Sequence, residues 1–133
     1  MSITQGASTI ALAFLGDSVY EVFVRERLMR SGSASNAHAD RLHKAAVHYV
    51  CATSQARVLE ALLPALTEEE TALVKRARNH RIATKPKNTD AVTYKWATAF
   101  EALLGWLWLR EEKERAYYIM NKAASIVEGK NGE

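Results

Sequence analysis

The stretch TIALAFLGDSVYEVFVRERLMR, residues 9–30, decides the fold class of this 133-residue chain. It is strongly apolar and is followed by Ser31-Gly32-Ser33, where a glycine suits the end of a helix. The sequence therefore predicts one long helix from about Thr9 to Arg30. Elsewhere no strand-like alternation is long enough to form a sheet, so we expect an all-α fold.

Local signals along the rest of the chain predict where the other helices begin and end. Pro64 ends one helical region, Thr67-Glu68-Glu69-Glu70 is a capping-box pattern, and Thr89 or Asp90 can cap the most apolar segment. The expected helical segments are about 36–63 with a break near 52–54, about 68–79, about 90–109, and 114–128. Residues 80–87 are expected to form a loop and 129–133 a frayed tail.

Length and composition indicate one domain over residues 1–133 with a single core. The only cysteine, Cys51, excludes an intrachain disulfide and is interpreted as a small buried hydrophobe. The functional alternative is a catalytic thiol, since His43 and His48 are near in sequence, but nothing in the sequence indicates that Cys51 is exposed or that its pKa is lowered. No basic segment precedes an apolar run at the N-terminus, and no apolar stretch reaches membrane-spanning length, so we expect a cytoplasmic protein.

Positive charge is concentrated in one segment of the chain. The net charge is only +3, yet Lys75 to Lys95 contains seven Lys or Arg and one acid, Asp90, which makes that segment +6 and the remainder −3. Such a stretch is typical of a binding surface for a polyanion. The alternative is a solvated loop whose charges serve solubility.

Two apolar stretches each carry one carboxylate, and this pairing is the strongest functional signal. AFLGDS (residues 13–18) contains Asp17, and AFEALLG (99–105) contains Glu101. Neither surrounding resembles a solvated helix face, and burying an ionised carboxylate costs several kcal/mol unless it is paired. A divalent cation shared by both acids is the economical hypothesis. In the alternative, Asp17 turns to water beside Gly16, and Glu101 forms a salt bridge to Lys95, Arg25 or Arg27.

These motifs resemble those of a known family. Phe14-Leu15-Gly16-Asp17-Ser18 resembles the signature of ribonuclease III catalytic domains, and the stretch from Phe100 to Gly105 resembles their second acidic motif, in the same order. Three further segments resemble the short Mini-III branch of that family: 75–79, 85–90 and 94–101. The larger family usually has a Glu where this chain has Ala13 and an Asp where it has Thr98, a reduction that the Mini-III branch shares. The resemblance therefore leaves the number of metal ions open.

The resemblance implies a dimeric ribonuclease III-like helical fold and an Mg²⁺-dependent endoribonuclease, with Mn²⁺ as an alternative ion. Asp17 and Glu101 would be catalytic metal ligands, and Glu21 a secondary candidate unless it pairs with Arg25. The homodimer would cut double-stranded RNA to leave 5′ phosphates, and the Mini-III branch is associated with trimming the 23S ribosomal RNA precursor. An accessory ribosomal protein is compatible with that role.

Because the chain ends where the larger family carries a separate RNA-binding domain, the basic segment is expected to bind RNA. The candidate residues are Arg76, Arg78, Lys85 and Lys87. The alternative function is a non-catalytic RNA-binding or ribosome-associated helical protein, and a structural dimerisation module is a third. The basic segment argues against the third but not against the second.

Overall fold

A computed structural model describes residues 7–31, 38–80 and 90–129. Within these ranges the protein has six α-helices and no strand, which confirms the all-α prediction. The helices are α1 (Thr9–Arg30), α2 (Ala39–Val50), α3 (Ala52–Leu62), α4 (Glu68–Arg78), α5 (Ala91–Leu109) and α6 (Lys113–Val127), with a 3-10 turn at Leu63–Ala65. Most of the predicted loop, including Lys85 and Lys87, and residues 130–133 of the predicted tail lie outside the described residues.

The helix ends follow the capping signals of the sequence. At the start of α4, Thr67 Oγ1 accepts a hydrogen bond from the Glu70 N–H (3.1 Å), and the Glu70 carboxylate accepts one from the Thr67 N–H (2.9 Å). Asp90 caps α5 by accepting from the Thr93 N–H at 2.9 Å. The break between α2 and α3 lies at Cys51, whose extended backbone (φ −67°, ψ 152°) interrupts the helix one residue before the predicted position.

Helix α5 lies at the centre of the fold and packs on α1, α3, α4 and α6, most extensively on α1. Two glycines make that contact possible. A Cβ on Gly16 would overlap the Glu101 carbonyl oxygen and lie 2.6 Å from its carbonyl carbon, and a Cβ on Gly105 would lie 2.8 Å from the Leu12 carbonyl carbon. The backbones of α1 and α5 therefore touch, and this contact places Asp17 beside Glu101.

One face of α1 is apolar and exposed in the single chain. Phe14 is 82% exposed and Val22 57%, and Ile10 and Met29 share that side of the helix. The expectation that Asp17 lies in apolar surroundings is therefore not met on this side of α1, and Asp17 is exposed, as in the alternative in which it turns to water. Helix α1 carries apolar residues around its whole circumference, and only one side of it faces α5. No helix in the described ranges is long and apolar enough to cross a membrane.

Candidate active site

The carboxyl groups of Asp17, on α1, and Glu101, on α5, meet beside the glycine contact. Burial of Glu101 and, after it, the charge of Asp17 raise the pKa of Glu101 to about 8, and a hydrogen bond to Asp17 adds to this rise. Asp17 itself is exposed, whereas Glu101 is half-buried. The predicted convergence of the two acids is thus present in the fold, 84 positions apart in sequence.

The apolar surroundings predicted for both acids are correct only in part. Asp17 lies at the solvent-exposed side of the site, and its neighbour Phe14 is also exposed. Glu101 has no ion pair among the described residues, so the alternative salt bridges to Lys95, Arg25 and Arg27 are not formed. Arg25 instead pairs with Glu21 (3.2 Å), and Arg27 pairs with Glu128 (2.7 Å).

The sequence prediction missed a third member of the site, Gln55. Its side chain is buried on α3, only 3% exposed, and its Nε2 donates a hydrogen bond to Glu101 Oε2 at 3.3 Å. This hydrogen bond acts against the rise in the pKa of Glu101. The signal that could have found it is the helical spacing: Gln55 falls on the same face of α3 as the buried Val58, Leu59 and Leu62.

Glu21 lies one turn after Asp17 and remains near the pair. Its charge makes a small contribution to the raised pKa of Glu101, while its carboxylate is held by Arg25. The salt-bridge alternative from the sequence is therefore observed. Its role as a secondary site residue stays a prediction.

The donor set fits a hard divalent cation with few protein ligands. Among the described residues, no group of three or more His, Cys, Asp or Glu side chains is arranged to hold a metal ion. Two carboxylates are nevertheless enough for Mg²⁺, which prefers oxygen ligands and usually keeps several waters. A cation between Asp17 and Glu101 would also offset the electrostatic cost of crowding them together.

The two described arginines of the predicted RNA-binding set lie on different sides of α4. Arg76 lines a cavity of about 500 Å³ at the start of α1, next to His80 and Arg110. The guanidinium of Arg78 lies 5.3 Å from the ring centre of Trp96. Residues two positions apart on a helix point in nearly opposite directions, so Arg76 and Arg78 do not share one patch.

Cys51 has a structural environment at the junction of α2 and α3. Its thiol donates a hydrogen bond to Ser54 Oγ (3.2 Å), and Ser54 in turn donates to the His48 carbonyl oxygen (2.6 Å). The His48 imidazole takes no part in these contacts. The geometry favours the structural interpretation of Cys51 over a catalytic thiol, although the side chain is half-buried rather than buried.

Comparison with known proteins gives a consistent result. The ribonuclease III domain family matches residues 10–112. A Mini-ribonuclease 3 from Brevibacillus brevis is 46% identical over 122 residues, covering 92% of this chain and 89% of that protein. A second, from Symbiobacterium thermophilum, is 44% identical and covers 90% and 89%. A Fusobacterium nucleatum protein solved by X-ray crystallography is 30% identical with a TM-score of 0.81, covering 94% of this chain and 95% of that one.

The shared fold and the family match define a nuclease of the ribonuclease III type. The chain belongs to the ribonuclease III family and, within it, to the Mini-III branch.

Proposed function

We propose that the protein is a metal-dependent endoribonuclease that hydrolyses double-stranded RNA at the Asp17–Glu101 pair and leaves 5′ phosphates. The observation that carries the proposal is the convergence of these two acids where α1 and α5 touch, with the pKa of Glu101 raised by burial and by Asp17. Strongly perturbed pKa values are typical of functional sites, and one or two carboxylates are the usual protein ligands of Mg²⁺.

The residues of the pair have different tasks. When bound, Mg²⁺ or Mn²⁺ would polarise the phosphate, lower the pKa of a water and stabilise the leaving 3′ oxygen. Asp17, at the exposed edge, is the acid that can reach solvent and an RNA phosphate. Gln55 holds Glu101 by donating a hydrogen bond to its carboxylate. The ion pair with Arg25 partly neutralises the charge of Glu21, which lies next to the two acids.

We further propose that the active form is a homodimer. The apolar stripe on α1, formed by Ile10, Phe14, Val22 and Met29, is exposed in the single chain and adjoins Asp17. An 82%-exposed phenylalanine is unfavourable in water, and a second copy of the same stripe would cover it. Such an interface would place two Asp17–Glu101 pairs near one RNA duplex, so that each could cut one strand.

The substrate and location follow from the family resemblance. We propose that Arg76, Arg78, Lys85 and Lys87 contact phosphates rather than bases, because an A-form duplex is recognised largely by its backbone and shape. Since Arg76 and Arg78 lie on different sides of α4, they would contact the RNA at separate places and not as one patch. The proposed substrate is the 23S ribosomal RNA precursor in the cytoplasm, with an accessory ribosomal protein as a further partner.

Asp17→Asn tests the proposed function directly. The amide keeps the size of the side chain but removes the charge that would hold the cation, so cleavage of long double-stranded RNA in Mg²⁺ should be abolished. Thermal stability and RNA binding should be retained. Glu26→Gln is the matched control, because Glu26 is an exposed acid on α1 paired with Arg30 (3.5 Å) and away from Glu101.

The same gel separates the competing function. A wild-type protein that shifts the RNA but does not cleave it, with Mg²⁺ or with chelator, is a non-catalytic RNA-binding protein. Cleavage by Asp17→Asn at nearly the wild-type rate would instead contradict the proposed site.

A further inference from the structure

Gln55 is a buried polar side chain in an apolar setting. It is 3% exposed on the face of α3 that packs on α5, together with Val58, Leu59 and Leu62. Burying an amide is unfavourable unless its polar atoms are hydrogen-bonded. Its Nε2 donates to Glu101 Oε2 at 3.3 Å.

Packing alone does not explain a glutamine at this position. A methionine or leucine of similar volume would fill the same space without the cost of burying an amide. The remaining explanation is the hydrogen bond that the amide donates to the carboxylate of Glu101.

The neutral charge of the amide is informative. A lysine or arginine would also stabilise the Glu101 carboxylate, but its positive charge would compete with a cation bound by Asp17 and Glu101. A third acid would add repulsion to a pair that is already crowded. A glutamine donates a hydrogen bond and adds no charge.

We propose that Gln55 is a positioning residue that fixes the Glu101 carboxylate through Oε2, so that the carboxylate is held in place to bind a divalent cation with Asp17. The inference rests on the proposed function of the pair. It adds a buried residue from a third helix, α3, to a site formed by α1 and α5. Supporting hydrogen bonds of this kind usually change metal affinity or activity by about 10–100-fold.

The test measures Mn²⁺ binding without RNA, by the loss of the free-ion signal in electron paramagnetic resonance. Gln55→Met keeps the length and volume of the side chain but has no N–H, so the dissociation constant should rise by about 10-fold or more. Ser54→Ala is the matched control. It removes a hydrogen bond of the adjacent residue on α3, to the His48 carbonyl, and should lower stability without changing Mn²⁺ affinity.

Cleavage assays give a second readout. The Mg²⁺ concentration for half-maximal rate should rise by a similar factor in Gln55→Met, while the KM for RNA stays the same and kcat recovers at saturating Mg²⁺. A residue with a merely structural role would lower the amount of folded enzyme and would leave the Mg²⁺ dependence unchanged.

Gln55→Met with wild-type Mn²⁺ affinity would overturn the inference. If this variant does not fold, Gln55→Asn is the second test. Its side chain keeps the amide but is one methylene shorter, so the amide cannot reach Glu101. Wild-type affinity of Gln55→Asn would then overturn it. Asp17→Asn in the same titration separates the two proposals: if it binds Mn²⁺ as the wild type does, the proposed function fails. If only Asp17→Asn loses binding, the role of Gln55 alone fails.

Discussion

Replacing Gly16 with alanine tests whether the contact between α1 and α5 controls both stability and activity. Intrinsic helix propensity favours alanine over glycine in a helix interior by about 1 kcal/mol. The tertiary structure predicts instead that alanine at this position lowers the stability of the protein. The added Cβ would overlap the Glu101 carbonyl oxygen and lie 2.6 Å from its carbonyl carbon and 2.9 Å from the Gly105 nitrogen. These neighbours are backbone atoms of a central helix and cannot rotate away.

Relief of the overlap requires α1 and α5 to separate by more than about 1 Å, because the added Cβ must move from overlap with the Glu101 carbonyl oxygen to ordinary van der Waals contact. Overpacking of this kind costs about 1–3 kcal/mol, and more where the backbone must move. We therefore expect Gly16→Ala to destabilise the protein by about 3 kcal/mol. The same shift moves Asp17 away from Glu101, and a displacement of about 1 Å can reduce catalysis about 100-fold.

Urea denaturation followed by circular dichroism measures the first effect, and cleavage of double-stranded RNA at a temperature where the variant is folded measures the second. Gly129→Ala is the control, since nothing lies within 4 Å of its added Cβ and only its positive φ of 82° disfavours alanine. It should cost about 1 kcal/mol and leave cleavage unchanged. A Gly16→Ala protein as stable as the wild type would refute the close contact.

Three further predictions concern charges. Arg115→Ala should destabilise the protein by about 3 kcal/mol in urea denaturation, because it removes the ion pair of the buried Glu70, whose Oε1 lies 2.8 Å from Arg115 Nη2. Arg30→Ala, which removes the exposed pair with Glu26, is the control and should cost less than about 0.5 kcal/mol. Burial opposes ionisation of Glu70, but hydrogen bonds from Arg115 and the Thr67 N–H outweigh it and lower its pKa below the ordinary 4.5. Ionised Glu70 thus stabilises the fold above pH 4.5, and this stabilisation is lost as the pH falls through the lowered pKa. The difference in unfolding free energy between wild type and Glu70→Gln should therefore shrink as the pH falls below 4.5. A difference that does not change with pH would contradict this. Lys85→Ala with Lys87→Ala should lower the salt slope of log RNA affinity by roughly one unit or less per lost contact without changing cleavage at saturating RNA, and an unchanged slope would return these lysines to a solubility role.

The sequence by itself determined the helices and the acidic motifs. The ends of α4 and α5 are set by Thr67 with Glu70 and by Asp90 with Thr93, hydrogen bonds between residues three positions apart. Such signals are local, so they can be read from a short window of sequence. Asp17 and Glu101 were also found in this way, because each lies in a motif that resembles the ribonuclease III signature.

The tertiary structure alone decided which residues surround the pair. Apolar residues lie on every side of α1, so the sequence did not show which of them face solvent, and it left open whether Asp17 is buried or turned to water; in the structure both Phe14 and Asp17 are exposed. Arg76 and Arg78 form one charge run in the sequence, yet the geometry of α4 turns them to different sides. The role of Gln55 depends on α3 packing against α5, which no local pattern specifies.

The physical reason is the range of the interactions involved. Helix caps act within one turn, whereas burial and electrostatic coupling depend on atoms that are close in space and far apart in sequence. Asp17 and Glu101 are 84 positions apart in sequence, and the pKa of Glu101 is raised by its burial and by the charge of Asp17, which lies beside it where Gly16 and Gly105 let two helix backbones touch.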